Sequence, residues 1–175
     1  AGFVSVFNGD AIKDVKLIKG GMPAQYGGRL SSVLDISMND GNMKKYEVEG
    51  GIGVMSSRLT VQGPIKQDTA SFILSYRRFY LGDLAQLYID ESSKFHGSNY
   101  YFYDLNAKLN WILSDKDRFY LSGYLGEDVF EFKNSKSGFG MSTPSGNAIA
   151  SLRWNHLFND KLFSNTSINY TRYQF

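Results

Sequence analysis

The chain has 175 residues, with 19 Lys and Arg against 17 Asp and Glu, no cysteine, 18 glycines, and 13 Phe, 12 Tyr and 2 Trp. That is enough for one ordinary domain or for part of a larger one, and a net charge of +2 gives no basic field of the kind that holds nucleic acid. The lack of cysteine excludes a disulfide framework, CxxC redox chemistry and thiolate zinc sites, and the longest apolar run, Tyr100 to Tyr103, is far too short for a membrane-spanning helix. No charged-then-apolar leader stands at the N-terminus, as expected if the chain starts after processing or inside a longer protein. A Gly-rich, aromatic-rich composition with 3 prolines leans towards β structure.

Residues 1–43 come first and carry no clean period. Val15 to Ile18 reads as a short strand and Ser32 to Met38 as a second, in which Val33, Leu34 and Ile36 do not strictly alternate, as suits a segment buried on more than one side. Between them Gly20-Gly21 precedes Pro23, and Gly27-Gly28 follows Tyr26, two places where the backbone needs unusual dihedrals or close approach. Asn39 to Lys44 is expected to be a crossing into the next region.

From residue 45 the chain alternates with period two. Lys45 to Met55 sets Tyr46, Val48, Ile52 and Val54 against Lys45, Glu47 and Glu49; Arg58 to Ile65 sets Leu59, Val61 and Ile65 against Arg58, Thr60 and Gln62. Ala70 to Tyr80 continues with Phe72, Leu74 and Tyr76. Tyr101 to Leu113 is the clearest strand: Tyr101, Tyr103, Leu105, Ala107, Leu109, Trp111 and Leu113 on one face, Asp104, Asn106, Lys108 and Asn110 on the other. Arg118 to Val129, Asn147 to Phe158 and Lys161 onward complete a set of seven strands. Their length suits tilted membrane-spanning strands of about 9–11 residues.

The expected connections are Ser56-Ser57, Lys66–Thr69, Leu81–Tyr100, Ser114–Asp117, Phe130–Gly146 and Asn159-Asp160. After the first, short and long alternate, as in up-and-down outer-membrane barrels with short periplasmic turns and long outer loops. Leu81 to Ile89 has helical spacing and reads as a short loop helix. The polar faces (Lys45, Glu47, Glu49, Arg58, Gln62, Arg77, Asn106, Lys108, Arg153, Asn155) argue for a wide barrel with a wet or plugged lumen. Tyr76, Tyr80, Tyr101 and Tyr103 are expected at the long-loop end, with Trp111 and Trp154 at the short-turn end, as two aromatic belts. Facing alone makes Leu109→Arg costly in lipid and Lys108→Ala nearly free.

Ile12-Lys13-Asp14-Val15-Lys16-Leu17-Ile18-Lys19-Gly20-Gly21-Met22-Pro23-Ala24-Gln25-Tyr26-Gly27-Gly28-Arg29-Leu30-Ser31-Ser32-Val33-Leu34-Asp35-Ile36 resembles the end of the plug domain in TonB-dependent outer-membrane receptors of the Bacteroidota type. Gly63-Pro64-Ile65, and Tyr103-Asp104-Leu105-Asn106 with Lys108, resemble the first barrel strands of the same family. The resemblance covers nearly the whole chain. It implies an all-β fold: residues 1–43 as the C-terminal part of a plug, and residues 44–175 as about seven strands of an antiparallel transmembrane β-barrel of roughly 22 strands. Seven strands cannot close in lipid, because both edges stay unpaired, so the chain reads as a fragment. Tyr170-Thr171-Arg172-Tyr173-Gln174-Phe175 resists this, since it looks like the aromatic end of a complete barrel.

The implied activity is energised import of an iron chelate, cobalamin, glycan or peptide across the outer membrane of a Gram-negative bacterium, by plug rearrangement. The implied partners are a TonB-type inner-membrane complex, outer-membrane lipid and, in some members, a surface lipoprotein; no nucleic acid is expected. The alternatives are a passive porin or adhesin-type barrel and a barrel enzyme. The resemblance gives Lys19 as a candidate plug latch, and Gly20, Gly21, Tyr26, Gly27 and Gly28 as the plug motif. Gln25 and Arg29 are candidates for the ligand vestibule.

No catalysis, cofactor or metal is expected. His96 and His156 lie sixty residues apart with no matching carboxylate spacing, so they read as surface or girdle residues. Glu127-Asp128 with Glu131 is a candidate cation edge, or simply a solvated acidic one. Gly51-Ile52-Gly53 lacks the Gly-Lys-Ser/Thr context of a phosphate loop.

Overall fold

The computed structural model describes residues 8–21, 23, 26, 31–90, 93, 96–134 and 137–175. A single 3-10 turn, Gly9–Ala11, leads into β1 (Ile12–Lys19), which pairs antiparallel with β2 (Ser32–Met38) as a separate two-stranded sheet. A second sheet follows: β3 (Glu47–Ile52), β4 (Ser56–Lys66), β5 (Ala70–Phe79), β6 (Asn99–Ile112), β7 (Asp117–Asn134), β8 (Phe139–Asn159) and β9 (Leu162–Gln174). Each of its strands is antiparallel to its neighbour in sequence, so β3 and β9 are the edges. A short helix α1 (Leu81–Gln86) sits in the β5–β6 connection, where the sequence has helical spacing. Among the described residues no helix is long and apolar enough to cross a membrane.

Cross-strand partners share a face, so the register shows how the two side-chain sets line up across the sheet. Phe72, Leu109, Leu121, Leu152 and Ile168 form one row; Gln62, Ile73, Lys108, Ser122, Ser151 and Asn169 form a row on the opposite face. The apolar face is the exposed one. In β6, Asp104, Asn106, Lys108 and Asn110 are buried, while Leu109 and Trp111 are exposed by 41% and 54%. In β5, Ser71, Ser75 and Arg77 are buried while Leu74 and Tyr76 are exposed. A sheet that folds in water puts these sets the other way round.

Two expectations need correcting. Most of the expected loop Phe130–Gly146 is strand: β7 runs to Asn134 and β8 starts at Phe139, and the two stay paired as far as Asn134 opposite Phe139. Phe130 and Phe132 alternate with Glu131 and Lys133, and the rings of Phe132 and Phe139 lie 6.5 Å apart across the ladder. β7 therefore has 18 residues and β8 21, well beyond the roughly 9–11 needed to cross a bilayer, and the long connection that remains at that end is the one holding α1. Secondly, the β1–β2 pair is not buried on both sides. Val15 and Leu17, on the same face as Leu34, are 51% and 52% exposed.

The first strand of the large sheet is also shorter than the alternation implies, and Ser56 and Ser57, expected as its connection to the next, are instead the first residues of β4, opposite Phe79 and Arg78. β3 starts at Glu47; Tyr46, next in register, lays its ring over Gly63, where a Cβ would lie 2.2 Å from it, and donates its hydroxyl to the Pro64 carbonyl at 2.8 Å.

Candidate functional site

The two sheets meet on the buried polar face, and the seam between them is made of hydrogen bonds and charges. At one end Asn8, almost fully buried, donates from Nδ2 to the Ser75 hydroxyl at 2.6 Å, and Ser75 in turn contacts the Thr60 hydroxyl at 2.7 Å. Two residues on, the Asp10 carboxylate lies 3.2 Å from the Arg58 guanidinium. The Asn8 side chain also accepts from the Asp10 backbone N–H, which caps the 3-10 turn and presents both residues to the sheet.

The other end of the hairpin returns to the same place. The Asn39 N–H donates to the Ala11 carbonyl at 2.9 Å, and its side chain donates to the Asp10 carbonyl at 3.0 Å. Lys108, at mid-strand in β6, donates to the Met38 carbonyl at 2.8 Å and pairs with the Asp40 carboxylate at 2.7 Å. Ser71 donates to the Asp40 carbonyl at 2.7 Å. Gly41 has φ of +80° and lies so close to β5 that a Cβ would sit 2.4 Å from the Phe72 carbonyl oxygen. The crossing ends where the Asp68 N–H, in the β4–β5 turn, donates to the Met43 carbonyl at 3.2 Å. Asn39 to Lys44 therefore reaches the large sheet at its short-turn end, as the sequence implies.

A seam of this composition has a physical consequence. Separating apolar surfaces exposes them to water at full cost, whereas hydrogen-bonded groups exchange one partner for another at a net cost of about 0.5–1.5 kcal/mol each. Such a contact is specific when closed and can be re-solvated when opened.

Deeper in the same face, Arg77 donates from Nε to Asp104 Oδ2 at 2.7 Å, and its guanidinium lies 5.0 Å from the centre of the Phe102 ring. Both partners are buried, which suits a neutralised pair between neighbouring strands.

Of the residues named from sequence, Lys19 is exposed at the end of β1 opposite Ser32. Gly20 and Gly21 take φ of +67° and +54°, the left-handed conformation that their glycine identity permits. Tyr26 donates its hydroxyl to the Asp35 carboxylate at 2.8 Å, tying the turn to β2. Gln25, Gly27, Gly28 and Arg29 lie outside the described residues. Asn8, Asp10 and Asp40 escaped the sequence reading, because nothing local marks them; only the alternation placed Lys108 on the right face.

The histidines do not converge. His156 does have a carboxylate, since Asp117, its cross-strand partner, lies 2.7 Å from Nδ1 and also accepts from Trp154 Nε1 at 2.9 Å. This group sits at the short-turn end of the apolar face, beside a row of Trp111, Phe119 and Trp154 in which the last two rings stack at 5.8 Å. Tyr76 and Tyr103 lie towards the other end of that face, and the Tyr103 hydroxyl donates to Glu127. Glu127 thus belongs to the apolar face, while its neighbour Asp128 turns to the polar one, so the acidic edge does not gather around one point. No group of three metal-ligating side chains occurs among the described residues.

No family model, curated protein or solved structure matches this chain.

Proposed function

We propose that this chain is the end of the plug, residues 1–43, and the first strands of the wall, residues 44–175, of a TonB-dependent outer-membrane receptor that imports a ligand by plug rearrangement. The observation that carries the reading is the inverted sheet. Its continuous apolar face is exposed, as lipid requires, and its charged face is buried in β5 and β6, where a separate hairpin is bonded to it. The Trp row at one end and the Tyr pair at the other fit the two interfaces of a bilayer.

The hairpin favours a receptor over a passive porin or adhesin. A passive pore works through an open, water-lined polar face, whereas a plug must be held against that face and yet released. The polar seam supports that role, because its bonds can be exchanged for water. On this reading the exposed face with Val15, Leu17 and Leu34 is covered by the other plug strands. The work of opening comes from a TonB-type inner-membrane complex, and the ligand is of the iron-chelate, cobalamin, glycan or peptide kind.

Topology gives the test. The β5–β6 connection lies at the end opposite the β4–β5, β6–β7 and β8–β9 turns, and its Leu87 and Tyr88 are 76% and 90% exposed. Chymotrypsin added to intact cells should cut there, and uptake should stop when the proton gradient across the inner membrane is collapsed. Cleavage only after the outer membrane is permeabilised overturns the topology; gradient-independent uptake overturns the receptor reading.

A further inference from the structure

On the polar face, beneath β2, lies a cavity of about 390 Å³ between Asp35–Met38 and strands β6 to β9. Its sheet side is rich in donors and positive charge. Lys108 and Arg153 line it, with the hydroxyls of Ser122 and Ser167. Three cations crowd one buried ring at its floor: Arg153, Arg118 and Lys108 lie 4.2, 5.3 and 5.4 Å from the centre of Tyr120.

The charges there are only partly answered. Asp40 pairs with Lys108, and Asp35, which also lines the cavity, accepts the Tyr26 hydroxyl. Arg118 donates from Nε to Asn110 Oδ1 at 3.0 Å, a neutral acceptor. No ion pair among the described residues includes Arg118 or Arg153. Two buried donors have no acceptor at all, Arg153 Nε and the Nδ2 of Asn110, whose residue is 1% exposed. Buried donors are almost always satisfied, and like charges gathered away from bulk water repel, so a ring quadrupole alone is a thin counterweight.

The geometry points to a binding site for a small oxyanion, a phosphate or carboxylate group, held by the Arg153 guanidinium with Arg118 and Lys108 close by. A guanidinium fork with hydroxyl donors around it is matched to such a group, which supplies the missing charge and an acceptor for Arg153 Nε. The cavity has room for the group and a small polar body attached to it. The inference goes beyond the import reading. It stands on the facing of the sheet and the side chains around Tyr120, whatever moves the hairpin.

Calorimetric titration of the intact protein in a non-ionic detergent, at low ionic strength, tests it with inorganic phosphate and, separately, citrate. Saturable one-to-one binding of either anion is expected. Arg153→Gln should weaken it about tenfold or more and Arg118→Gln about threefold. Arg78→Gln should leave it unchanged, since Arg78 lies on the exposed face, 3.5 Å from Asp83. No saturable binding of either anion overturns the proposal, as does wild-type affinity in an Arg153→Gln protein whose folding is verified by heat-modifiable migration. If that variant does not fold, Arg153→Lys takes its place: about threefold weaker binding supports the site, and undiminished binding overturns the guanidinium contact on which it rests.

Discussion

The ammonium of Lys108, in the middle of β6, lies 2.7 Å from the carboxylate of Asp40, sixty-eight positions earlier, and so joins the large sheet to the segment that leads into it. By facing alone Lys108 is a polar side chain in a wet lumen, and its loss should cost nearly nothing. Its partners reverse that expectation. Lys108→Ala leaves Asp40 and the Met38 carbonyl without their donor on a face largely shielded from water. We expect a loss of about 1–3 kcal/mol, and a coupling of about 1 kcal/mol or more to Asp40→Asn in a double-mutant cycle. Urea titration of the lipid-folded protein measures both; an additive cycle would show that the pair contributes nothing.

The apolar rows set a depth scale. Leu109 is two residues from Trp111 along β6, hence close to the short-turn interface, whereas Leu74 and Ala107 share the row midway between Trp111 and Tyr103. Leu74→Arg should therefore destabilise the lipid-folded protein by about 2–4 kcal/mol, and Leu109→Arg by about 1–2 kcal/mol, because the cost of a cation falls towards the headgroups. Equal and small losses at both positions would speak for a sheet that meets water on that face.

Gly41 and Gly20 separate two reasons for glycine. Both have positive φ, but a Cβ on Gly41 meets the Phe72 carbonyl, while no atom of the described residues lies within 4 Å of one on Gly20. Gly20→Ala should cost about 1 kcal/mol, the dihedral penalty alone, and Gly41→Ala about 2–3 kcal/mol, since the crossing must also lift away from β5. Thermal unfolding followed by gel migration resolves the two. Matching losses would mean that the crossing relaxes freely.

Strand existence and facing were legible in the residues because the side-chain period of two is local. Each residue reports its own face, and a run such as Tyr101 to Leu113 needs no partner to declare itself. Ser32 to Met38, whose bounds the structure reproduces, was legible without that period, as an apolar run set off by turn residues, and the positive φ of Gly20-Gly21 from glycine identity. The β7–β8 extension was missed because Gly140 and Pro144, with the serines beside them, read as loop chemistry, and only pairing with Lys133 and Val129 in β7 makes strand of them.

What the sequence determined by itself is which side chains share a face, that the chain is antiparallel β, and that one face is apolar and the other charged. Which face is covered was decided only by the tertiary structure, through contacts between residues far apart in the chain: Asn8 with Ser75, Asp10 with Arg58, Asp40 with Lys108. The physical reason is that alternation is a property of neighbours. The choice of partner for a buried charge depends on where the backbone returns, and here that return is made by a crossing that fits against β5 because residue 41 has no side chain.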